Sequence, residues 1–161
     1  TDLQRSARFL YLQRTAFGGK VTGRNFGVAT DNPARFDVTK LGPVLEAVHE
    51  RLSSVSIERL PWSDFISRYD RPGTLFYLDP PYFGSERDYG AGMFERAEFE
   101  RMAEQLRGIR GKFILSLNDH PEVRRIFDGF AFREEDVRYT LSGNGEGNAK
   151  LAKEVIITGP S

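Results

Sequence analysis

TLFYLDPPYF, residues 74–83, is the stretch on which the fold turns. Residues 74–79 read as a strand, and Asp79-Pro80-Pro81-Tyr82 ends it in a form that no sheet interior accepts. Consecutive prolines fix φ and remove two backbone donors, so the loop is stiff and its carbonyls are left as acceptors. A near-continuous apolar run such as TLFYL is expected of a strand buried on both faces of a parallel sheet, and FILSL (113–117) reads the same way.

Working outward, strand and helix patterns alternate. Before the motif lie a strand VSIERL (55–60) and a short helix around Ser63–Tyr69. After it come a loop rich in glycine and aromatics to Phe94, a helix over 96–107, the strand KFILSL (112–117) and a short helix over 121–127. Two final strands, near 131–140 and 152–158, have only SGNGEGNAK between them and should pair antiparallel at a sheet edge. The order is β-α-β-loop-α-β-α-β-β, an α/β class. Upstream, Leu41, Val44, Leu45, Val48 and Leu52 give an amphipathic helix over 40–53 with Thr39 as N-cap. Leu3, Ala7, Leu10 and Tyr11 give a helix over 3–16. Between those helices FGGKVTGRNFGVATDNPARFD (17–37) reads as loops with a hairpin.

The whole-chain numbers narrow the function classes. At 161 residues the length suits a single domain with a real core. The absence of cysteine excludes disulfides, thiolate catalysis and cysteine-built metal sites, and it fits a reducing compartment. No apolar run approaches membrane-spanning length and the first residues lack a signal peptide's apolar stretch, so a cytoplasmic location is the expectation and no membrane partner is expected. With 23 basic and 23 acidic residues no global field draws the chain to nucleic acid. Arg5, Arg8, Arg14, Lys20 and Arg24 nevertheless share the first 30 residues with a single acid, Asp2. That cluster is either a solvated surface or a local nucleic-acid contact.

In an open α/β sheet, ligands bind beyond the carboxyl ends of the strands, where Asp79 to Tyr82 belong. An acid, a free carbonyl and an aromatic face held together suit a flat base with an exocyclic amine. Asp79 and the Pro80 carbonyl accept its two N–H bonds, and Tyr82 stacks on the ring. Read as structure alone, the same residues are a strand end capped by a rigid turn. His49 and His120 show no metal-ligand spacing and read as surface or capping residues; no metal is expected.

FYLDPPY (76–82) resembles the catalytic motif of amino-methyltransferases, and its surroundings resemble the DNA adenine methylase (Dam-type) family of N6-adenine methyltransferases. RFLYLQRTAFGGK (8–20) is similar to that family's arginine-containing helix and glycine loop. KFILSLND (112–119) is similar to its next strand, and RYTLSGNGEGNAKLAKEVIITG (138–159) to its final hairpin. The resemblance implies a Rossmann-like fold dependent on S-adenosyl-L-methionine, with a mixed sheet and a C-terminal antiparallel hairpin. It also implies methyl transfer to N6 of an adenine flipped from double-stranded DNA.

Asp79, Pro80, Pro81 and Tyr82 would then be catalytic, with Phe83 on the pocket wall. Asp79 would face the cationic cofactor. Asp64, after Trp62, would either accept the cofactor's N6 amine or, with Ser63, cap the short helix. Arg14, Lys20 and Arg24 would touch DNA. In 141–150, Ser142, Asn144, Asn148 and Lys150 belong either to a flexible turn or to a DNA-contacting loop. Asn118 and Asp119 would support the motif, unless Asp119 caps the helix before Pro121.

The resemblance also implies a cofactor-holding glycine loop after a first strand. Phe17-Gly18-Gly19 has the letters but follows an arginine-bearing helix, so it fits the DNA side better. The expectation is therefore a fragment with a sheet incomplete at its N-terminal side, in which 1–38 belongs to target recognition and 39–161 to the catalytic core. The other readings are a DNA-binding module without catalysis, and a methyltransferase acting on an RNA base or a protein amide.

Overall fold

The computed structural model describes residues 1–16, 36–86, 92–139 and 150–159. The chain divides into two compact units, 1–59 and 60–161. In the second, strand β1 (Leu75–Leu78) is preceded by helix α3 (Trp62–Tyr69) and followed by α4 (Ala97–Arg107), β2 (Lys112–Asn118), α5 (Pro121–Ile126), β3 (Ala131–Tyr139) and β4 (Lys150–Thr158). The four strands form one mixed sheet in the order β1-β2-β4-β3. β1 and β2 run parallel with Leu75 opposite Lys112, and β4 lies antiparallel to both β2 and β3. The closing antiparallel pair thus forms as the sequence suggests, with β3 on the edge.

Alternation along β2 explains what the sheet buries. Phe113, Leu115 and Leu117 face a core built with Ile66, Phe76, Phe99, Met102, Leu106, Val123, Phe127, Val155 and Ile157. The register puts Ser116 and Asn118 on the opposite face, with Ile156 and Glu154 opposite them on β4. One face is therefore apolar and packed, and the other carries the polar residues.

Three sequence expectations need correction. TLFYL is not buried on both faces: β1 is an edge strand among the described residues, and Leu75 and Tyr77 are 60% and 66% exposed. VSIERL (55–60) forms no strand; Val55 N–H instead closes onto Leu52 O at 2.9 Å, and Ile57 lies open to solvent. Alternating apolar residues specify a face, whereas a strand also needs a neighbour to take its backbone bonds, and 55–60 pairs with none among the described residues. Thr39 is not the cap of the helix that follows. Asp37 Oδ1 receives Thr39 N–H at 3.0 Å and caps a 3₁₀ turn, Val38–Lys40, that runs into α2 (Leu41–Leu52).

In the first unit, α1 (Asp2–Thr15) and α2 form at the expected places. Neither buries a residue, and the α2 stripe of Val44, Leu45, Val48 and Leu52 is exposed. Tyr11 meets Phe36 edge-on with ring centroids 5.1 Å apart. The loops and hairpin expected over 17–37 fall almost entirely outside the described residues.

Candidate active site

Asp79 follows β1 directly, and Asn118 and Asp119 close the parallel neighbour β2, so the motif stands at the carboxyl edge of both parallel strands. The start of those strands is fixed from below. Asp70 accepts from Arg110 N–H at 2.9 Å and Gly111 N–H at 2.8 Å, and Thr74 O accepts from Lys112 N–H at 2.8 Å.

Each part of the loop 79–83 has an anchor. The exposed Asp79 carboxylate receives the Ser116 hydroxyl at 3.1 Å. Pro80 and Pro81 are half-buried, and among the described residues no backbone N–H reaches the Pro80 carbonyl. Tyr82 donates its hydroxyl to Glu154 Oε1 on β4. Asn118 grips Phe83 twice: Oδ1 accepts its N–H at 2.8 Å and Nδ2 donates to its carbonyl at 3.1 Å. Tyr82 O then accepts Ser85 N–H at 2.8 Å, closing a turn whose third residue, Gly84, has φ +93°, a conformation that side chains resist.

Phe83 does not line an open pocket wall. It is buried in the core, its ring 5.4 Å from Phe99 and 4.7 Å from His120, with the Arg96 guanidinium 4.6 Å over its centroid. An aromatic inside a turn anchors that turn by burying itself. Glu86, which accepts Gly84 N–H at 3.1 Å, has its carboxyl held below the usual range: burial opposes this, but backbone N–H bonds and Arg96 outweigh it.

The flanking residues sort differently from the sequence reading. Asp119 does not cap α5. His120 does, with Nδ1 accepting Glu122 N–H at 3.1 Å, while Asp119 takes a two-pronged bond from Arg124 at 2.7 and 3.0 Å that holds its carboxyl below the usual range. Neither Ser63 nor Asp64 caps α3; Asp64 is exposed in its first turn. Trp62 Nε1 donates to Glu98 at 2.9 Å and ties α3 to α4. His49 is exposed on α2. Arg14 is exposed in the last turn of α1. Lys20, Arg24, Ser142, Asn144 and Asn148 lie outside the described residues, and Lys150 is placed only by its backbone, opposite Tyr139.

Sequence reasoning missed Ser116 and Glu154. Ser116 carries a signal, a hydroxyl inside an apolar run two residues before Asn118 and hence on its face. Glu154 becomes visible only once the β2–β4 register is known.

A family model described as D12 class N6 adenine-specific DNA methyltransferase matches residues 1–141. The chain is also 22% identical over 135 residues to the Type II methyltransferase M.CviBI of Paramecium bursaria Chlorella virus NC1A. That alignment covers 83% of this chain and 52% of the relative, so the chain spans about half the relative's length.

Proposed function

The chain belongs to the D12 class N6 adenine-specific DNA methyltransferases, and on that premise we propose that it grips the target amine during methyl transfer to N6 of an adenine flipped from duplex DNA. The supporting observation is the loop itself. An exposed carboxylate, a carbonyl that no backbone N–H of the described residues reaches and an aromatic ring adjoin at the carboxyl end of a parallel strand.

In this reading Asp79 and the Pro80 carbonyl accept the two amine hydrogens, and the Tyr82 ring stacks on the base. The grip would hold the nitrogen lone pair free to take the methyl group as its bond to sulfur breaks, and the Asp79 carboxylate would stabilise the positive charge on nitrogen and accept the proton that nitrogen then loses. Pro81 contributes stiffness, because its ring fixes the backbone between the two acceptors and the stacking face. No strong base has to act before attack.

S-adenosyl-L-methionine fits the acidic residues present. Asp79 and Asp64 are both exposed carboxylates; Asp79 matches a sulfonium in charge, and Asp64 is proposed to accept the cofactor's adenine amine. When bound, the cofactor supplies the electrophilic methyl group. We read the four-stranded sheet as the C-terminal part of a Rossmann-like methyltransferase core over 39–161. Residues 1–38 are read as serving target recognition, with Arg14, Lys20, Arg24, Ser142, Asn144 and Lys150 contacting DNA.

The test is to incubate the full-length protein with labelled S-adenosyl-L-methionine and unmethylated genomic DNA, then digest the DNA to nucleosides. Label in N6-methyladenine is the expected result. Label appearing instead in RNA or in protein glutamine in parallel reactions would overturn the assignment of DNA as acceptor.

A further inference from the structure

Asn118 and Glu154 are register partners on β2 and β4 and share the polar face of the sheet. Both place side-chain bonds on one short loop. Asn118 holds the backbone of Phe83 from both sides, and Glu154 holds the hydroxyl of Tyr82. We propose that these two are positioning residues: Asn118 sets the path of the loop and so the direction of the Pro80 carbonyl, and Glu154 sets the rotation of the Tyr82 ring. The proposal rests on the reading of the loop as an amine grip.

Two physical points carry it. First, Pro80 and Pro81 have no N–H, so the loop cannot tie itself down through its own backbone there and depends on outside anchors. A primary amide that accepts from N–H and donates to C=O of the same residue imitates a strand neighbour. It fixes that residue's rotation as well as its place.

Second, the ladder sets an acid of its own sign opposite Glu154. Its other register partner is Glu135 on β3, and like charges directly opposite each other in an antiparallel ladder are unfavourable. The carboxylate at that position has a use in the bond from Tyr82.

The test is single-turnover methyl transfer by the full-length protein, with dissociation constants for DNA and S-adenosyl-L-methionine and a thermal melt measured alongside. Asn118→Ala and Glu154→Ala should slow transfer by about 10- to 100-fold, the scale on which small misplacements act, with both dissociation constants unchanged. Glu154→Gln, which still accepts from the hydroxyl, should recover most of the rate. Glu154→Ala combined with Tyr82→Phe should be no slower than the worse single variant, because both remove the same bond.

Asn118→Asp, which keeps the acceptor but loses the donor, should fall between wild type and Asn118→Ala. Variants that melt earlier yet transfer at the wild-type rate would overturn the proposal. Additive effects of Glu154→Ala and Tyr82→Phe, or a Glu154→Gln as slow as Glu154→Ala, would overturn it for Glu154. Wild-type protein that methylates no adenine would instead overturn the functional reading and this proposal with it.

Discussion

Ser116 is 7% exposed, yet it directs its hydroxyl to the exposed carboxylate of Asp79 at 3.1 Å. A bond to a charged acceptor contributes about 1.5–3 kcal/mol when well formed, and here it fixes which way the carboxylate faces. Ser116→Ala should therefore lower the methyl-transfer rate by about tenfold, the lower end of that range, with little change in DNA affinity. A wild-type rate in a single-turnover assay would mean that Asp79 orients itself without help.

At this scale the place of the tetrapeptide, directly after a parallel strand, was legible, because consecutive prolines end a strand through their own covalent structure. Glu154 was not, since a residue 72 positions from Tyr82 becomes its neighbour only through the sheet register. Phe83 was misjudged for a related reason. Nothing local distinguishes an aromatic that lines a cleft from one that anchors a turn in the core.

Among the elements, the two parallel strands start from a tight junction. A Cβ on Gly111 would stand 2.7 Å from Thr74 O and 3.3 Å from Arg71 O, both backbone atoms, while Gly111 N–H is held by Asp70. Gly111→Ala should cost about 1–3 kcal/mol in urea unfolding, as overpacking at a site with no slack does. Gly108→Ala is the comparison, because there a Cβ meets only Gln105 O at an ordinary 3.7 Å, and its stability should stay within about 1 kcal/mol of wild type. Equal losses at both positions would show that helix and loop propensity, rather than the junction, governs the effect.

Helices and the closing hairpin could be read from periodicity, since each carries its pattern within itself. The failures were elements whose state depends on a neighbour. VSIERL alternates like a strand but lacks a partner among the described residues, and TLFYL is apolar along its length although one of its faces is open. Thr39 is no cap because it lies inside the 3₁₀ turn that Asp37 caps, and its hydroxyl turns back to donate to Asp37 Oδ1 at 2.6 Å.

Across the molecule, charge is balanced at 23 of each sign, so pH acts through individual pairs rather than through a net field. Asp119 is the clearest case in the sheet unit. The hydrogen bond from Arg124 depresses its pKa below the ordinary value of 3.8. A depressed carboxylate contributes stability that is fully present above the unfolded value and is lost as pH falls through the folded one. Asp119→Asn should therefore unfold at lower urea than wild type from neutral pH down to 3.8, and the two should converge on further acidification. A constant gap across the series would assign the loss to packing instead of to the charge.

The zero net charge was legible in the sequence, but the pairing that gives it pH dependence was not, because Arg124 could as well have met Glu122 or Glu134. It does bond Glu134, at 2.6 Å, in addition to Asp119.

Single-turnover methyl transfer to unmethylated duplex DNA by wild type and Asp79→Ala, compared at matched thermal stability, reads the amine grip most directly. The two roles proposed for the carboxylate, accepting an amine hydrogen and stabilising charge on nitrogen, predict a fall of about 10²- to 10³-fold in the variant with DNA binding retained. An Asp79→Ala protein that methylates adenine at the wild-type rate would contradict it.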